Sequence, residues 1–425
     1  MLIADNNPPG TVAFDDARGS SMRRKNAVMQ GWWFFGLCTT VGLLLSSLSA
    51  PARAWAGGDN PFCSDAGCTE TRALLKQTCD YIVANKATVP TIYVGGYYMR
   101  TLVAGHEILG DQRYLDTALA YSDSLLGKQM PNGFWPTGYG SVYLADTGSA
   151  LGLFIALYKH AGAERQKKFL DAVLRYANSI QKNGMIHPNG AFGTGWGHVE
   201  GDTMTKPIFD QYTLSSALTG GEIFTWLYHV TGKEEYRDIA HDALKWVLST
   251  MREDGNIPYI LAWEKADWDK RGDPKNDYEL WEDSTFGTSG YVGEGILAFD
   301  LHCDQPEWRA WIQKAVQPNI EFLLRNQLPD GTWSKLPQKS WDRTRSPGVI
   351  DYLIWYYVTV NGDPRIAAAV KRFDGFILDP EKAKSFGLLN RGAVGGEKAS
   401  AFNTATSLTG RALADILSPN VDSKW

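Results

Sequence analysis

KPIFDQYTLSSALTGGEIFTWLYHVTGKEEYRDIA, Lys206 to Ala240, decides how the rest of the chain is read. Pro207 and Asp210 mark a helix entry. Apolar residues recur at Leu214, Leu218, Ile223, Leu227 and Val230, and Thr231-Gly232-Lys233 stops the helix before Tyr236 opens another. The spacing predicts a helical hairpin: a helix, a tight glycine turn and a second helix.

Working outward, the same unit recurs. Helical spacing predicts segments at roughly 69–86, 93–109, 113–129, 146–160, 164–182, 211–230, 234–252, 287–302, 306–327, 346–360, 364–378 and 402–417. Two kinds of junction alternate between them. The short ones are Leu109-Gly110-Asp111, Ala161-Gly162-Ala163, Thr231-Gly232-Lys233 and Asn361-Gly362-Asp363-Pro364, where glycine supplies a left-handed cap. The long ones span 130–145, 183–210, 253–286, 328–345 and 379–401. Four of these open on a shared signature: Asn132-Gly133-Phe134-Trp135, Asn183-Gly184-Met185-Ile186, Asp254-Gly255-Asn256-Ile257 and Asp330-Gly331-Thr332-Trp333. This is an internal repeat.

Six hairpins with unequal connections predict an all-α fold, an (α/α)6 toroid with an inner ring of helices wrapped by an outer ring. Ser149–Leu157, Gly290–Leu301 and Val349–Val360 are poor in charge, as inner helices require. An open superhelical array would carry polar end repeats, and Ala401–Leu417 does not read as one. A single toroid domain over 57–425 is therefore expected. Its long loops all lie at one end, over the amino termini of the inner helices, where function resides on loops and helix dipoles favour negative groups.

A formal charge of −5 leaves no basic excess to displace counterions from phosphates, which argues against a nucleic-acid binder. Aromatics make up 12% of the chain, with 16 Trp and 19 Tyr, and such side chains also stack on sugar faces. Residues 1–56 read as a leader and signal peptide with a start near Met22. Met22–Lys25 is basic, Gly31–Leu48 is apolar, and Ala54-Trp55-Ala56 is a small-residue cleavage pattern. The expectation is a secreted or periplasmic protein with no stable membrane anchor once the signal is removed; an uncleaved anchor is the alternative. Cys38 falls in the signal. Cys63, Cys68, Cys79 and Cys303 remain, with three possible connectivities, of which Cys63 to Cys68 is the short local one. No cofactor is expected and no metal, because His198-Val199-Glu200-Gly201-Asp202 matches no ligand spacing.

Asp146 and Asp210 occupy matching positions at the starts of consecutive inner helices. Glycoside hydrolysis needs one carboxyl to donate a proton and a second carboxylate to activate water or attack, so this pair is the catalytic candidate. Helix capping is the plainer role for either. Candidate substrate contacts on the same face are His187 and His198, the aromatics Trp135, Tyr139, Trp196, Tyr212, Trp333 and Trp341, and the basic residues Arg343 and Arg345, with Lys335, Lys339 and Arg391 nearby. Trp135 and Trp333, inside the repeated signature, also fit packing of the loops on the rim.

The alternating hairpins resemble the six-hairpin glycosidases, among them the unsaturated glucuronyl and rhamnogalacturonyl hydrolases. Asp146-Thr147-Gly148 is similar to the opening of that group's second inner helix. Phe209-Asp210-Gln211, with Val230-Thr231-Gly232 and Tyr236–Ala240, resembles its third hairpin, and Asp283-Ser284-Thr285-Phe286 the entry to its fourth inner helix. The resemblance implies Asp210 as the acid/base that hydrates the double bond of an unsaturated sugar and Asp146 as its partner. In that family a histidine precedes the first aspartate, where this chain has Ala145, and an arginine that helps hold the uronate lies where this chain has Thr288. Asn132–Pro136 also resembles toroidal pectate lyases, and Gln327-x-x-Asp330-Gly331-x-Trp333 the repeat of triterpene cyclases.

The expected function is an exported glycoside hydrolase acting on a poly- or oligosaccharide, uronate-containing ones included. One alternative is a polysaccharide lyase or uronate epimerase, with Arg343, Arg345 or Arg391 neutralising the uronate and Tyr212, His187 or His198 as base. Another is a non-catalytic sugar-binding envelope protein on the same toroid.

Overall fold

Six apolar helices pack side by side and close on themselves. In the computed structural model, residues 60–86, 91–137, 140–259, 286–334, 344–390 and 399–419 are described, with backbone alone at 65, 390 and 399–403. The leader and signal, Tyr139, Lys335, Lys339, Trp341, Arg343 and Arg391 lie outside the described residues.

In chain order the helices are α1 (Asp65–Asn85), α2 (Ile92–Leu109), α3 (Gln112–Gly127), α4 (Leu144–Tyr158), α5 (Ala163–Lys182), α6 (Phe224–Thr231, continued from a π-helical stretch Ser215–Ile223) and α7 (Glu234–Ser249). There follow α8 (Phe286–His302), α9 (Pro306–Ala315), α10 (Gln317–Asn326), α11 (Pro347–Tyr356), α12 (Pro364–Leu378), α13 (Pro380–Phe386) and α14 (Ala399–Leu417). Helix α2 packs on α4, α4 on the π-helical entry to α6, that entry on α8, α8 on α11, α11 on α14, and α14 back on α2. The ring is closed, as the unequal junctions predict.

Burial follows ring position. Helix α8 is buried at every residue from Phe286 to Asp300, whereas α5 buries only the stripe Phe169, Ala172, Val173, Tyr176, Ala177 and Ile180. Inner helices approach closely enough to need small residues. A β-carbon on Gly290 would stand 2.5 Å from the Gly348 carbonyl carbon.

Three of the four short junctions carry the expected left-handed cap, at Gly110, Gly232 and Gly362. Gly162 differs: at φ −68° it is the extended N-cap of α5. The segment expected as one helix over 306–327 is two, parted at Val316, with Pro318 in the first turn of α10 where its missing N–H costs nothing.

The long loops repeat a turn, but one of its four positions is corrected. Met130 N–H donates to Phe134 O at 2.8 Å and Gly133 N–H to Met130 O at 2.8 Å; Arg252–Asn256 and Leu328–Thr332 repeat both bonds. In the second loop the equivalent turn is His187–Ala191, with Gly190 at φ 90°, and not the segment opening at Asn183-Gly184. Asn183 is only the C-cap of α5.

The first and fourth turns carry a further shared device. Gln129 donates to Gly133 O and Ala172 O, and Gln327 to Gly331 O and Ala369 O. The indoles of Trp135 and Trp333 donate to Leu125 O at 2.7 Å and Leu323 O at 2.8 Å. Both tryptophans are fully buried, so they fasten loops to the outer ring and do not reach a substrate. That corrects their place among the candidate contacts.

Part of the second long loop is a sheet. Strands β1 (Val142–Tyr143), β2 (Gly193–Glu200) and β3 (Thr203–Gln211) pair antiparallel in that order, with Trp196 opposite Pro207 and His198 opposite Thr205. Gly201-Asp202 makes the two-residue turn, Gly201 at φ 56°. Pro207, read above as a helix entry, lies in the edge strand, where no ladder bond needs its nitrogen. Helical backbone begins only at Thr213. Cys63 and Cys68 are disulfide-bonded, while Cys79 and Cys303 are buried thiols.

Candidate active site

Asp146 lies in the first turn of α4, whose N-cap is Tyr143, without a capping side chain. Asp210 is the penultimate residue of β3, and its carbonyl accepts from Thr194 Oγ1 at 3.0 Å. Neither aspartate is an N-cap, which removes the capping role for both and corrects the placement of Asp210 at a helix start. The β2–β3 register shifts by one residue at Phe209-Asp210, a bulge just ahead of Tyr212.

Tyr212 belongs to a small cluster set apart from the main core: Tyr97, Ala145, Tyr212, Leu214, Leu218, Tyr291 and Leu408, edged by Tyr93 and Tyr259. These residues come from the amino-terminal halves of α2, α4 and α8, from the entry to α6 and from α14. The Tyr97 and Tyr291 rings lie 6.1 Å apart and the Tyr212 and Tyr259 rings 5.4 Å apart. Thr213 holds the loop segment that carries Tyr259, its hydroxyl 2.7 Å from Pro258 O and 2.6 Å from Tyr259 O.

Arg345 enters this cluster from just before α11. Its guanidinium stands over the Tyr259 ring at 5.9 Å and interacts electrostatically with Tyr259, Tyr291, Tyr93 and Tyr212. Asp146 faces the same space with part of its surface open. Burial pushes its carboxyl up to about 7, and the Arg345 charge acts in the opposite direction. A carboxyl in that range holds its proton near neutrality and can give it up, as a general acid must. Burial also raises the Tyr212 and Tyr291 phenols well above their ordinary value.

The floor is ionic. The Tyr97 hydroxyl donates to Glu294 at 2.8 Å, and its ring lies between Arg100 and Arg411, 5.5 and 5.4 Å from its centroid. Arg100 bonds Glu294 at 2.7 Å and Glu222 at 3.1 Å; Arg411 bonds Glu294 at 2.9 Å and Asp351 at 2.8 Å. Burial alone would raise Glu294, but Arg411 and Arg100 hold it below its usual range, whereas burial carries Glu222 up to about 7. Beneath this plug a cavity of about 230 Å³ lies among the carboxyl ends of α2, α4 and α14, lined by Arg100, Arg411 and Asp415. It is separate from Asp146.

Of the candidate contacts, the structure brings Asp146, Tyr212 and Arg345 together. Trp196 is buried against Phe134, with ring centroids 4.6 Å apart, and offers no sugar platform. His187 begins the 187–191 turn and bonds the Phe209 backbone; burial lowers its pKa. His198 is exposed on β2. Sequence reasoning missed Tyr93, Tyr97 and Tyr291. Their signal was present: a tyrosine stands in, or just ahead of, the first two turns of four successive inner helices, at Tyr93, Tyr143, Tyr212 and Tyr291.

No family model matches the chain, and no curated protein matches it in sequence. Solved structures do. A polysaccharide lyase is similar over 82% of this chain and 97% of its own, at 15% identity and TM-score 0.56. The unsaturated glucuronyl hydrolase from Bacillus sp. GL1 is similar over 81% and 96%, at 15% identity and TM-score 0.55. A type II terpene cyclase from Scytonema is similar over 83% and 98%, at 15% identity and TM-score 0.51. At such identities the likeness is one of architecture, and the chain has the six-hairpin toroid fold that serves hydrolytic, lyase and cyclase proteins alike.

Proposed function

We propose that this chain is a glycoside hydrolase acting on a uronate-containing oligosaccharide, with Asp146 as proton donor, Asp210 as the second carboxylate and Arg345 as the anchor for the substrate carboxylate. One observation carries the reading: a carboxyl raised to about 7 shares a tyrosine cluster with a guanidinium. In the reaction the Asp146 proton passes to the leaving oxygen, or to the double-bond carbon of an unsaturated sugar, as the ring takes on oxocarbenium character. Asp210 accepts a proton from the water that adds at the carbon left cationic, the anomeric carbon in the first case and the ring-oxygen end of the former double bond in the second, and one water is consumed. The donor role thus moves from Asp210, where the family resemblance puts it, to Asp146, whose carboxyl is lifted by burial. The unsaturated glucuronyl hydrolase among the similar structures supports this substrate class by analogy of fold.

Elimination is the second reading, supported by the tyrosines around Arg345. It is weaker, because burial raises Tyr212 and Tyr291 and so makes them harder to deprotonate near neutrality. A cyclase reading is weaker again, since Arg345 among the tyrosines repels a carbocation. Export rests on residues 1–56, and sequencing the amino terminus of protein recovered from the periplasm or medium tests it, with a start near Gly57 expected.

The deciding assay follows ultraviolet absorbance on lyase-cut, unsaturated uronate oligosaccharides. Loss of absorbance that Asp146→Asn abolishes supports the hydrolase. New absorbance generated from uncut polyuronate supports elimination instead, and no absorbance change in either direction, with sugar binding unaffected by Asp146→Asn and Asp210→Asn, leaves only a binding role.

A further inference from the structure

The cavity at the carboxyl end of the ring takes no part in the proposed reaction, and its lining shares no residue with the tyrosine cluster. Its volume is about 230 Å³, and its walls are the last two turns of α2, α4 and α14. Arg100, Glu107, Arg411 and Asp415 are the charged part of that wall. Val103 and Ala156 are among the aliphatic residues between them.

Two properties of the wall set the sign of a ligand. Three helices bring their carboxyl ends to it, and each such end carries roughly half a negative charge. Carboxyls also outnumber guanidiniums. Glu222, Glu294, Asp351 and Asp415 are all buried. Glu294 bonds both Arg100 and Arg411, while Glu222 shares Arg100 and Asp351 shares Arg411, so two cations serve four acids. Glu222 Oε2 is buried with no hydrogen-bond partner among the described residues. Burial lifts Asp415 to about 7 against the pull of Arg411 and Arg100, with Glu294 adding to the rise. Glu107 differs, because Lys159 and His160 each stand 2.8 Å from it. A cation beside Asp415 gains from both properties, and an anion loses. Size narrows the choice further. One water takes about 30 Å³ of liquid, so the cavity has room for a molecule of several non-hydrogen atoms.

We propose that this cavity binds a small aliphatic amine in its protonated form. The ammonium group donates to the Asp415 carboxylate, and the hydrocarbon stem lies against Val103 and Ala156. Arg100 and Arg411 keep their bonds to Glu294, so the ligand supplies the missing positive charge without opening the floor beneath Tyr97. Asp415 sheds its proton as the ammonium arrives, which makes binding tighter at pH 8 than at pH 6.

Calorimetric titration of the full chain with 1,4-diaminobutane at pH 8 tests this, with potassium chloride and sodium butyrate as the other probes. One saturable site for the diamine is expected. Asp415→Asn removes the charged partner and should weaken it by at least about tenfold. Ala156→Leu fills the space without touching a charge and should abolish binding, which gives the same reading should Asp415→Asn not fold. Asp146→Asn should bind the diamine as the parent does. Several outcomes overturn the site: butyrate bound in place of the diamine, potassium bound as well as the diamine, an affinity that neither Asp415→Asn nor Ala156→Leu lowers, or no binding at all. A loss on Asp146→Asn instead puts the amine among the tyrosines and overturns it equally.

Discussion

Arg345 runs across Gly287: a β-carbon at residue 287 would stand 2.5 Å from Arg345 Cβ and 3.2 Å from its Cδ. The next residue is the fully buried Thr288, where the family resemblance leads one to expect an arginine. The following repeat brings a guanidinium beside that place. Gly287→Ala should therefore displace the Arg345 side chain and raise KM for a uronate substrate by roughly tenfold, with little effect on its methyl ester. Initial rates on the acid and the ester check this, and Arg345→Lys should act in the same direction because one ammonium cannot replace the planar fork.

Asp146 must hold its proton to act as donor, so activity should fall as pH rises through about 7, the range to which burial lifts this carboxyl. Asp146→Asn should lower kcat by at least roughly a hundredfold and abolish that alkaline limb. A kcat–pH profile from pH 5 to 9 on both proteins is the measurement.

Glu294 accepts from Tyr97, Arg100 and Arg411 at once. Glu294→Ala would leave two buried guanidinium groups short of a partner, a change that costs about 3–5 kcal/mol for a buried pair. Urea unfolding should show a loss of that order. Since Tyr97 also belongs to the tyrosine cluster beside Asp146 and Arg345, KM should rise together with the loss of stability.

Burial lifts Glu222 and Asp415 to about 7 from ordinary values of 4.5 and 3.8. Between those limits the folded chain binds protons that the unfolded chain has released, so these groups make stability fall as pH rises toward 7 and level off above it. Glu222→Gln and Asp415→Asn should flatten the dependence of Tm on pH between 5 and 7.5, which a thermal-melt series reads directly.

Trp333 donates its indole N–H to Leu323 O from a fully buried position. Trp333→Phe should cost about 1–2 kcal/mol in stability, through the lost bond and lost volume, and leave KM in place. A rise in KM without loss of stability would return Trp333 to the sugar-binding set.

The ring was legible because its signals are local and repeated. Apolar spacing set the helices, and glycine after the inner helices set three of the four left-handed caps. Strand β3 was not, since Pro207 and Asp210 serve equally well at a helix entry or on an edge strand, and pairing with β2 is a tertiary choice. The turn at Asn189-Gly190 was hidden for a related reason. Asn183-Gly184 offered the same dipeptide six residues earlier, and only contact with the outer ring tells them apart: a β-carbon on Gly190 would collide with the Asp242 carbonyl, whereas Gly184 faces open space. In the site, Asp146, Tyr212 and Arg345 were named from residue type and loop position. Tyr97 and Tyr291 were overlooked because buried aromatics on apolar helices read as core. Convergence of several such residues on one end of a ring is a property of closure, which no single repeat displays.

Closure also sets an order of events. The ribosome delivers α1 first and α14 last, yet Asn60 donates to Ile416 O at 2.8 Å, Thr71 bonds Asp374 at 3.0 Å, and Thr101 donates to Ser407 O at 3.0 Å. The earliest helices wait, with apolar flanks uncovered, for partners more than 300 residues downstream. No amino-terminal portion of the chain can reach its final packing during synthesis. The nascent protein is therefore expected to present those flanks to holdase chaperones until α14 emerges, and a truncation that removes α14 is expected to strip the first repeat as thoroughly as the last.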